Sequence, residues 1–179
     1  MRSDGEAGWT PSVFAEDRPE DMEGLDRLRS EPGLVVVDRL SDQVRGLREV
    51  LPPAGSDVLD EPARWVHYPW RRTVVRVLGP HSFRRLRLDR NRNKVTSAEQ
   101  DRLRGTTVGI VGLSVGFSVA QALVLDGVCG ELRLADFDPI ELSNLNRVPA
   151  SLVDLGTNKA VVAARRLSEL DPYLPLSVW

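Results

Sequence analysis

Residues 109–138, GIVGLSVGFSVAQALVLDGVCGELRLADFD, have the pattern of a strand, a glycine turn, a helix and a second strand. Residues 108–111 are a short apolar run, which is typical of buried strands in parallel sheets. Residues 112–116 then turn the chain into an apolar helix, and residues 131–135 form the second strand. This order predicts a βαβ unit, so the expected fold class is α/β with a Rossmann-like parallel sheet.

The glycine turn lies where many nucleotide-binding folds hold a phosphate group. Backbone N–H groups after the first strand and the N-terminus of the following helix form an anion site there. Gly112, Ser114 and Gly116 are the candidate positions, although their spacing departs from G-x-G-x-x-G. Asp136 and Asp138 follow the second strand, where a carboxylate accepts hydrogen bonds from ribose hydroxyls. The glycines alone leave two interpretations open, a nucleotide site and a tight strand-to-helix turn.

The sequence beyond the second strand favours the nucleotide site. The segment ADFDPIELSNLNR, residues 135–147, puts polar side chains at the carboxyl end of a strand, the side on which α/β sheets bind ligands. In DLGTNKAVVAARRLSELDP, residues 154–172, Thr157 is expected to cap a helix with Lys159 in its first turn. The helix dipole disfavours a cation there, so a facing phosphate would explain Lys159. The alternative is an exposed lysine that costs roughly a few tenths of a kcal/mol.

Together, DFDPIELSNLNR and GTNKA resemble the ubiquitin-activating superfamily of the ThiF type, over about residues 90–179. The resemblance implies an adenylyltransferase that uses ATP and Mg²⁺ to adenylate the C-terminal carboxylate of a small ubiquitin-like or sulfur-carrier protein. Relatives of this kind act in thiamine and molybdopterin biosynthesis and are usually dimers, so a homodimer is expected. A carboxylate is already ionised at pH 7, so its attack on phosphate needs no general base.

The resemblance also assigns roles to individual residues. It gives the ribose to Asp136 and the phosphates to Asn144, Arg147 and Lys159. The RNRN segment resembles the family's arginine finger, which is usually contributed across a dimer. Arg92 is the expected finger, and Arg90 is the alternative. Three catalytic residues follow from the resemblance: Arg92, Arg147 and Lys159.

Other features of the family are expected outside this sequence. The magnesium-binding aspartate of the family follows a later strand, so the magnesium ligand is expected beyond residue 179 and no metal site is assigned within the chain. We therefore expect an N-terminal fragment with an incomplete sheet, inactive by itself and prone to self-association. The basic segment and the GLSVG turn also resemble a subgroup fused to a nitroreductase-like half.

Two other functions remain compatible with the residues. An NAD- or FAD-binding oxidoreductase would use Asp136 and the glycine turn equally well, but it does not require Arg147 with Lys159. A non-catalytic interaction module would keep the fold and lose the nucleotide. Val115 and Phe117, which replace a richer glycine loop, are expected to crowd the nucleotide.

The rest of the chain predicts three regions. Residues 1–30 are acidic and expected to be disordered, residues 31–95 form a small α+β module with a basic linker, and residues 96–179 form the Rossmann-like domain. Residues 34–37 read as a buried strand, followed by a helix from Leu40 until Pro52. In HYPWRRTVVRVLGP, residues 67–80, a helix from Pro69 to a Gly79 cap competes with a strand over 73–78. Thr96 and Glu99 have the spacing of a capping box.

Composition narrows the possible locations and partners. With 41% hydrophobic and 28% charged residues, no signal peptide and no apolar run near the roughly 20 residues needed to span a bilayer, the chain is expected to be cytoplasmic and not bound to membranes. The basic run over residues 71–94 could bind nucleic acid, but we expect a solvated face and no nucleic-acid partner. Cys129, the only cysteine, is expected to pack in the core rather than to act in catalysis, and His67 and His81 are expected to be structural or surface residues.

Overall fold

The computed structural model describes residues 8–179, which divide into two compact units. The first unit is Pro11–Asn93, and the second is Lys94–Trp179 together with residues 8–10. The first unit thus includes residues 11–30 together with most of the predicted module, residues 31–95. No helix within residues 8–179 is long and apolar enough to cross a membrane.

The first unit combines a four-stranded sheet with four helices, so it is the α+β module that the sequence predicts. The strands lie in the order β1-β3-β4-β2, in which β2 and β4 are parallel and the other pairs are antiparallel. The elements are β1 (Ser12–Ala15), α1 (Pro19–Arg29), β2 (Val35–Asp38), α2 (Leu40–Arg48), α3 (Ser56–Leu59), β3 (Arg64–Tyr68), β4 (Thr73–Val77) and α4 (Pro80–Arg87).

The acidic N-terminal region contains β1 and α1, where composition predicted disorder. Its acids do specific work in the fold: Glu20 and Asp21 lie in the first turn of α1, where the helix dipole favours negative charge. The Asp21 carboxylate also accepts the Ala15 N–H at 2.8 Å, and Leu25 is fully buried. Composition alone does not show that these acids and the buried Leu25 lie on one amphipathic helix. Residues 1–7 of the predicted disordered segment lie outside the described residues.

Two local predictions in this unit need correction. Thr73–Val77 is strand β4, whereas Pro69 begins only a 3-10 helix, Pro69–Arg71. Gly79 and Pro80 do not end a helix but begin α4, because proline fits the first helical position. The strand predicted over 34–37 exists as β2, but it is one of the two edge strands, and Val35 and Val36 are half exposed. Helix α2 agrees with the prediction.

The second unit is the predicted Rossmann-like α/β fold. Parallel strands lie in the order β5-β6-β7, and the Thr96–Glu99 capping box is formed in the structure. The elements are α5 (Ser97–Arg104), β5 (Thr107–Val111), α6 (Gly116–Asp126), β6 (Glu131–Ala135), α7 (Lys159–Leu170) and β7 (Leu176–Val178).

One face of this sheet carries the core. Leu132 and Leu134 of β6 are fully buried in the cluster that contains Phe117 of α6 and Leu167 of α7, and Cys129 is also buried there. The opposite face is open within residues 8–179, and Val111 of β5 is 87% exposed. Strand β5 is therefore covered on one face only, because both helices pack on the same side of the sheet.

Candidate functional site

The candidate site lies where β5 and β6 end and α6 and α7 begin. The two parallel strands end together, since Val111 pairs with Ala135 in register. The chain after β6 runs alongside the start of α7: Ile140 N–H donates to the Thr157 carbonyl at 2.8 Å, and Gly156 N–H donates to the Ile140 carbonyl at 2.9 Å. These bonds bring the end of β6 and the start of α7 to the same edge of the sheet.

The glycine loop has an open side. Gly112 has a φ of +84°, a conformation that favours glycine, and an added Cβ would meet nothing within 4 Å. Helix α6 then begins at Gly116 after Val115, and no side chain caps its first N–H groups within the described residues. Uncapped N–H groups at a helix start attract an anion, and Ser114 lies half-buried in the same loop.

The two bulky residues of this loop behave differently. Phe117 is fully buried, in line with Ala120 and Val124 on the core side of α6, so its side chain packs in the core. Val115 is 73% exposed at the start of α6. Only Val115 therefore borders the open side of the loop.

Asp136 joins the glycine loop to the end of β6. Its Oδ2 accepts the Leu113 N–H at 2.6 Å, and its Oδ1 accepts the Asp138 N–H at 2.9 Å. An ionised carboxylate has about four acceptor positions, so about two remain for other donors. The half-buried Asp136 thus fixes the loop and retains capacity for the predicted ribose hydroxyls.

Lys159 is buried and paired rather than exposed. Its Nζ lies 2.8 Å from Asp138 Oδ2; the lysine side chain is 6% exposed and the aspartate side chain is 50% exposed. A buried ammonium group needs an anionic partner, which Asp138 supplies. The exposed-lysine alternative is therefore wrong, and the cation lies beside the two acids that follow β6.

The N-cap of α7 is Asn158, not the predicted Thr157. Asn158 Oδ1 accepts the N–H groups of Ala160 at 2.8 Å and Val161 at 3.3 Å, while its Nδ2 donates to the Asp136 carbonyl at 2.8 Å. Sequence reasoning passed over this residue. The signal was an asparagine, one of the strongest N-cap residues, directly before the lysine in GTNKA.

Asn144 and Arg147 lie in the segment between β6 and α7. Asn144 is buried at the end of a 3-10 helix, Leu142–Asn144, and its Oδ1 accepts the Glu141 N–H at 2.9 Å. Arg147 is exposed, and its Nη1 donates to the Ser143 carbonyl at 3.1 Å and to Asn146 Oδ1 at 2.9 Å. Their side-chain hydrogen bonds within the described chain stay local, so their predicted phosphate contacts remain predictions.

Arg92 is held inside the first unit, in the 3-10 helix Asp89–Asn93. Its Nη1 donates to the Asp89 carbonyl at 2.8 Å and pairs with the Asp89 carboxylate. Burial by itself raises the pKa of Asp89, but the Leu51 N–H and the guanidinium groups of Arg92 and Arg85 outweigh it and hold that pKa below its ordinary value. Arg90, the alternative finger, is exposed.

Both histidines also belong to the first unit. His81 is exposed, and its Nδ1 lies 2.9 Å from Glu61 Oε1. His67 lies half-buried on β3, and burial lowers its pKa. Their roles as structural or surface residues remain predictions.

Comparisons with known proteins match about half of this sequence to one family. The ThiF family model matches residues 88–178. An uncharacterized protein of Mycobacterium tuberculosis is 53% identical over 166 residues, which cover 93% of this chain and 23% of that protein. The sulfur carrier protein adenylyltransferase of Thermus thermophilus is 38% identical over 82 residues, which cover 45% of this chain and 30% of that enzyme. The matched part of the chain thus spans less than a third of the length of either curated relative.

A solved structure agrees with the family match. The E. coli tRNA N6-threonylcarbamoyladenosine dehydratase in complex with ATP superposes with a TM-score of 0.50 and 26% sequence identity. The match covers 52% of this chain and 39% of that chain. The similarity therefore involves about half of the chain described above.

Proposed function

This chain belongs to the ThiF family, and we propose that it forms the nucleotide-binding part of an ATP-dependent adenylyltransferase. The proposed substrate is the C-terminal carboxylate of a small ubiquitin-like or sulfur-carrier protein. The proposal depends mainly on one observation, the hydrogen bond from Leu113 N–H in the glycine loop to the Asp136 carboxylate. This bond lies next to the start of α6, which has no side-chain cap. Relatives in the comparison include an adenylyltransferase and a structure with bound ATP.

The nucleotide contacts two parts of this site: a phosphate pole at the start of α6 and a ribose pole at the Asp136 carboxylate. Its phosphates lie at the first turn of α6, beside the loop Gly112, Ser114 and Gly116, because the uncapped N–H groups of that turn and the helix dipole favour anions. Its ribose hydroxyls donate to the remaining acceptor positions of Asp136. Asp136 therefore has two tasks, to hold the loop and to bind the sugar.

Charged side chains then complete the phosphate pole. Lys159 stands beside Asp138, so the pair brings a buried ammonium group to the nucleotide and gives that group an anionic partner within the protein. Arg147 is exposed on the segment that joins β6 to α7, and Asn144 fixes that segment from inside. Arg147 and Lys159 stabilise the negative charge of the phosphates, and Asp138 sets the position of Lys159.

The proposed reaction needs alignment more than acid-base chemistry. A carboxylate oxygen of the carrier attacks the α-phosphorus of ATP, a carboxylate–phosphorus bond forms, and the bond from the α-phosphorus to the bridging oxygen breaks. Pyrophosphate leaves with the electron pair, and the product is an acyl adenylate. Two anions must approach each other, so the cationic groups reduce their repulsion and hold the reacting atoms in line.

The arginine finger and the homodimer belong to the same proposal. Arg92 serves as the finger by reaching the phosphates of a second copy, and it then exchanges its carboxylate partner Asp89 for phosphate. Mixed dimers of inactive Arg92→Ala and inactive Lys159→Ala chains should regain activity, because one site then has both residues. A mixture that stays inactive argues against a shared site, and the same experiment with Arg90→Ala tests the alternative.

Magnesium is proposed to bind together with ATP, as Mg-ATP. Among residues 8–179, no group of three or more His, Cys, Asp or Glu side chains is arranged to hold a metal ion. We therefore assign no step to a protein-bound magnesium. The proposed use of ATP also agrees with a cytoplasmic location, and fusion to a nitroreductase-like half remains a prediction.

A calorimetric titration of the full-length protein with Mg-ATP, AMP and NADH tests the proposed function. We expect ATP to bind best, and Asp136→Asn and Lys159→Met each to weaken it about tenfold, since a hydrogen bond to a charged group contributes roughly 1.5–3 kcal/mol. Arg133→Ala is the matched control, because it removes an exposed cation from the open face of the sheet. Preference for NADH supports the oxidoreductase, and binding of none of the three supports the interaction module.

Pyrophosphate exchange then tests the reaction itself. The full-length protein, ATP, labelled pyrophosphate and a candidate carrier should return label to ATP, because adenylation is reversible. A carrier whose C-terminal carboxylate is converted to an amide provides the control for the attacking group. Exchange that continues with the amidated carrier argues against the proposed substrate.

A further inference from the structure

Asn158 links the two poles of the site through the two ends of one side-chain amide. Its Oδ1 accepts two N–H groups of α7, and its Nδ2 donates to the Asp136 carbonyl at 2.8 Å. The residues on either side of this link carry the site's charges: Asp136 bears the carboxylate that holds the glycine loop, and Lys159 follows Asn158 directly. The amide therefore connects β6 to α7 at the point where both poles begin.

Backbone contacts also join the segment after β6 to the start of α7. Lys159 N–H donates to the Asp138 carbonyl at 2.9 Å, and Pro139 and Asn158 form an isolated antiparallel bridge. These contacts lie on the Lys159 side of the junction, beyond Asp136. Among the side-chain hydrogen bonds of Asn158, only the one from Nδ2 reaches the residue that binds the loop. A second route runs through Asp138, whose N–H donates to the Asp136 carboxylate and whose own carboxylate pairs with Lys159. Asn158 therefore supplies one of two links between Asp136 and the start of α7.

The residue type fits a double task. Ser, Thr and Asp also cap helices, because each offers a side-chain oxygen to the first N–H groups. None of them carries an amide N–H group, so none combines the cap with an amide donor to the Asp136 carbonyl. A cap alone would not require asparagine at this position.

We propose that Asn158 is a positioning residue that fixes the distance between the ribose pole and the phosphate pole, so that one nucleotide engages both. It does not touch the nucleotide. It acts through Asp136 and Lys159, and the inference rests on the proposed function. The helix cap and the positioning role are separable, because they use different atoms of the same amide.

Three probes distinguish positioning from general stability. ATP engages both poles, adenosine engages only the ribose pole, and inorganic tripolyphosphate engages only the phosphate pole. Asn158→Ser keeps a capping oxygen and loses the amide donor. We expect it to weaken ATP binding about fivefold, the effect of one hydrogen bond. Adenosine and tripolyphosphate should change by less than about twofold, because neither depends on the distance between the poles.

Asn158→Ala is the comparison variant, since it removes the cap as well. It should lower the melting temperature more than Asn158→Ser and weaken ATP binding to the same extent. If Asn158→Ser fails to fold, Asn158→Thr, with an equivalent cap, replaces it in the same titrations.

The outcomes separate the two proposals. Equal weakening of all three probes means that the site has loosened as a whole, and unchanged ATP binding means that the distance is set elsewhere; either result overturns the positioning role while ATP binding by the native protein stands. If the native protein binds none of the three probes, the proposed function fails before any variant is compared, and the positioning role falls with it.

Discussion

Helices α6 and α7 lie on the same face of one parallel sheet, yet they begin in opposite ways. The first N–H groups of α7 are accepted by Asn158, and the neighbouring Lys159 is neutralised by Asp138. Helix α6 begins after Val115 without a side-chain cap, beside the open Gly112. The N–H groups at a helix start need an acceptor from outside the helix; at α7 the protein supplies one, and at α6 the proposed acceptor is a phosphate of the nucleotide.

The largest expected effect concerns the closed start, α7. Asp138→Ala leaves the 6% exposed Lys159 side chain without its anion, so the free energy of unfolding should fall by about 1–3 kcal/mol. The half-exposed Asp138 keeps this below the cost for a fully buried pair, because water reaches one partner. Urea unfolding at neutral pH measures the change.

A double variant controls for the lost aspartate itself. Asp138→Ala with Lys159→Met removes both charges and should be more stable than Asp138→Ala alone. If Asp138→Ala unfolds at the same urea concentration as the native protein, the buried Lys159 does not need Asp138 for its stability. The ion pair would then not stabilise the start of α7.

The next effect concerns the open start, α6. Val115→Asp places a carboxylate where the nucleotide phosphates are proposed to lie, so like charges should lower ATP affinity about tenfold, equivalent to about 1.4 kcal/mol. The same charge should raise stability by about 0.3–1 kcal/mol, since it complements the helix dipole. Calorimetry and urea unfolding report the two opposite changes.

Val115→Asn is the matched neutral control for this prediction. It should leave ATP affinity closer to that of the native protein than Val115→Asp does. Equal ATP affinity in the Asp variant and the native protein would mean that the phosphates bind away from α6, and the contrast between the two helix starts would lose its functional meaning.

More of the second unit than of the first could be predicted from the sequence. Strands β5 and β6, the βαβ order and the acids after β6 were predictable, because apolar runs and glycine turns are local signals. The partner of Lys159 was not, since Asp138 lies 21 residues away in sequence and only the fold brings the two together. Local patterns therefore identified the region of the site but not its ion pair.

The errors in the first unit have a similar physical origin. The exposure of β2 depends on which strand occupies the sheet edge, a fact that its valine-rich sequence does not contain. Helix α1 was hidden by its acids, although acids in a first turn favour a helix. Asn158 was passed over because Thr157 beside it is also a good cap, and only tertiary contacts decide between them.

The smallest effect extends the comparison to α4, which begins against a carboxylate from elsewhere in the chain. Glu61 accepts the Ser82 N–H at 2.8 Å and the His81 N–H at 3.3 Å. Burial raises the pKa of Glu61, but these bonds and the Ser82 hydroxyl outweigh it and hold the pKa below its ordinary value. The folded protein thus favours the ionised form.

The sign of the pH dependence follows from that lowered pKa. The stabilisation from Glu61 is fully present above the pKa of the unfolded state, about 4.3. It is lost as the pH falls through the lower pKa of the folded state. Glu61→Gln should cost about 1 kcal/mol at pH 7, and its deficit relative to the native protein should shrink in acid. Urea unfolding from pH 7 to pH 3 tests this; a deficit that grows in acid would contradict the assignment.

An amide NMR titration of the full-length protein with Mg-ATP tests the contrast between the two helix starts. We expect large shifts for the N–H groups of Gly116, Phe117 and Ser118, which begin α6 without a side-chain cap, and a smaller shift for Gly112, whose N–H donates to the Ala135 carbonyl at 2.9 Å. The N–H groups of Ala160 and Val161 should shift little, because Asn158 already accepts them. Large shifts at Ala160 and Val161 with none at the start of α6 would contradict the account.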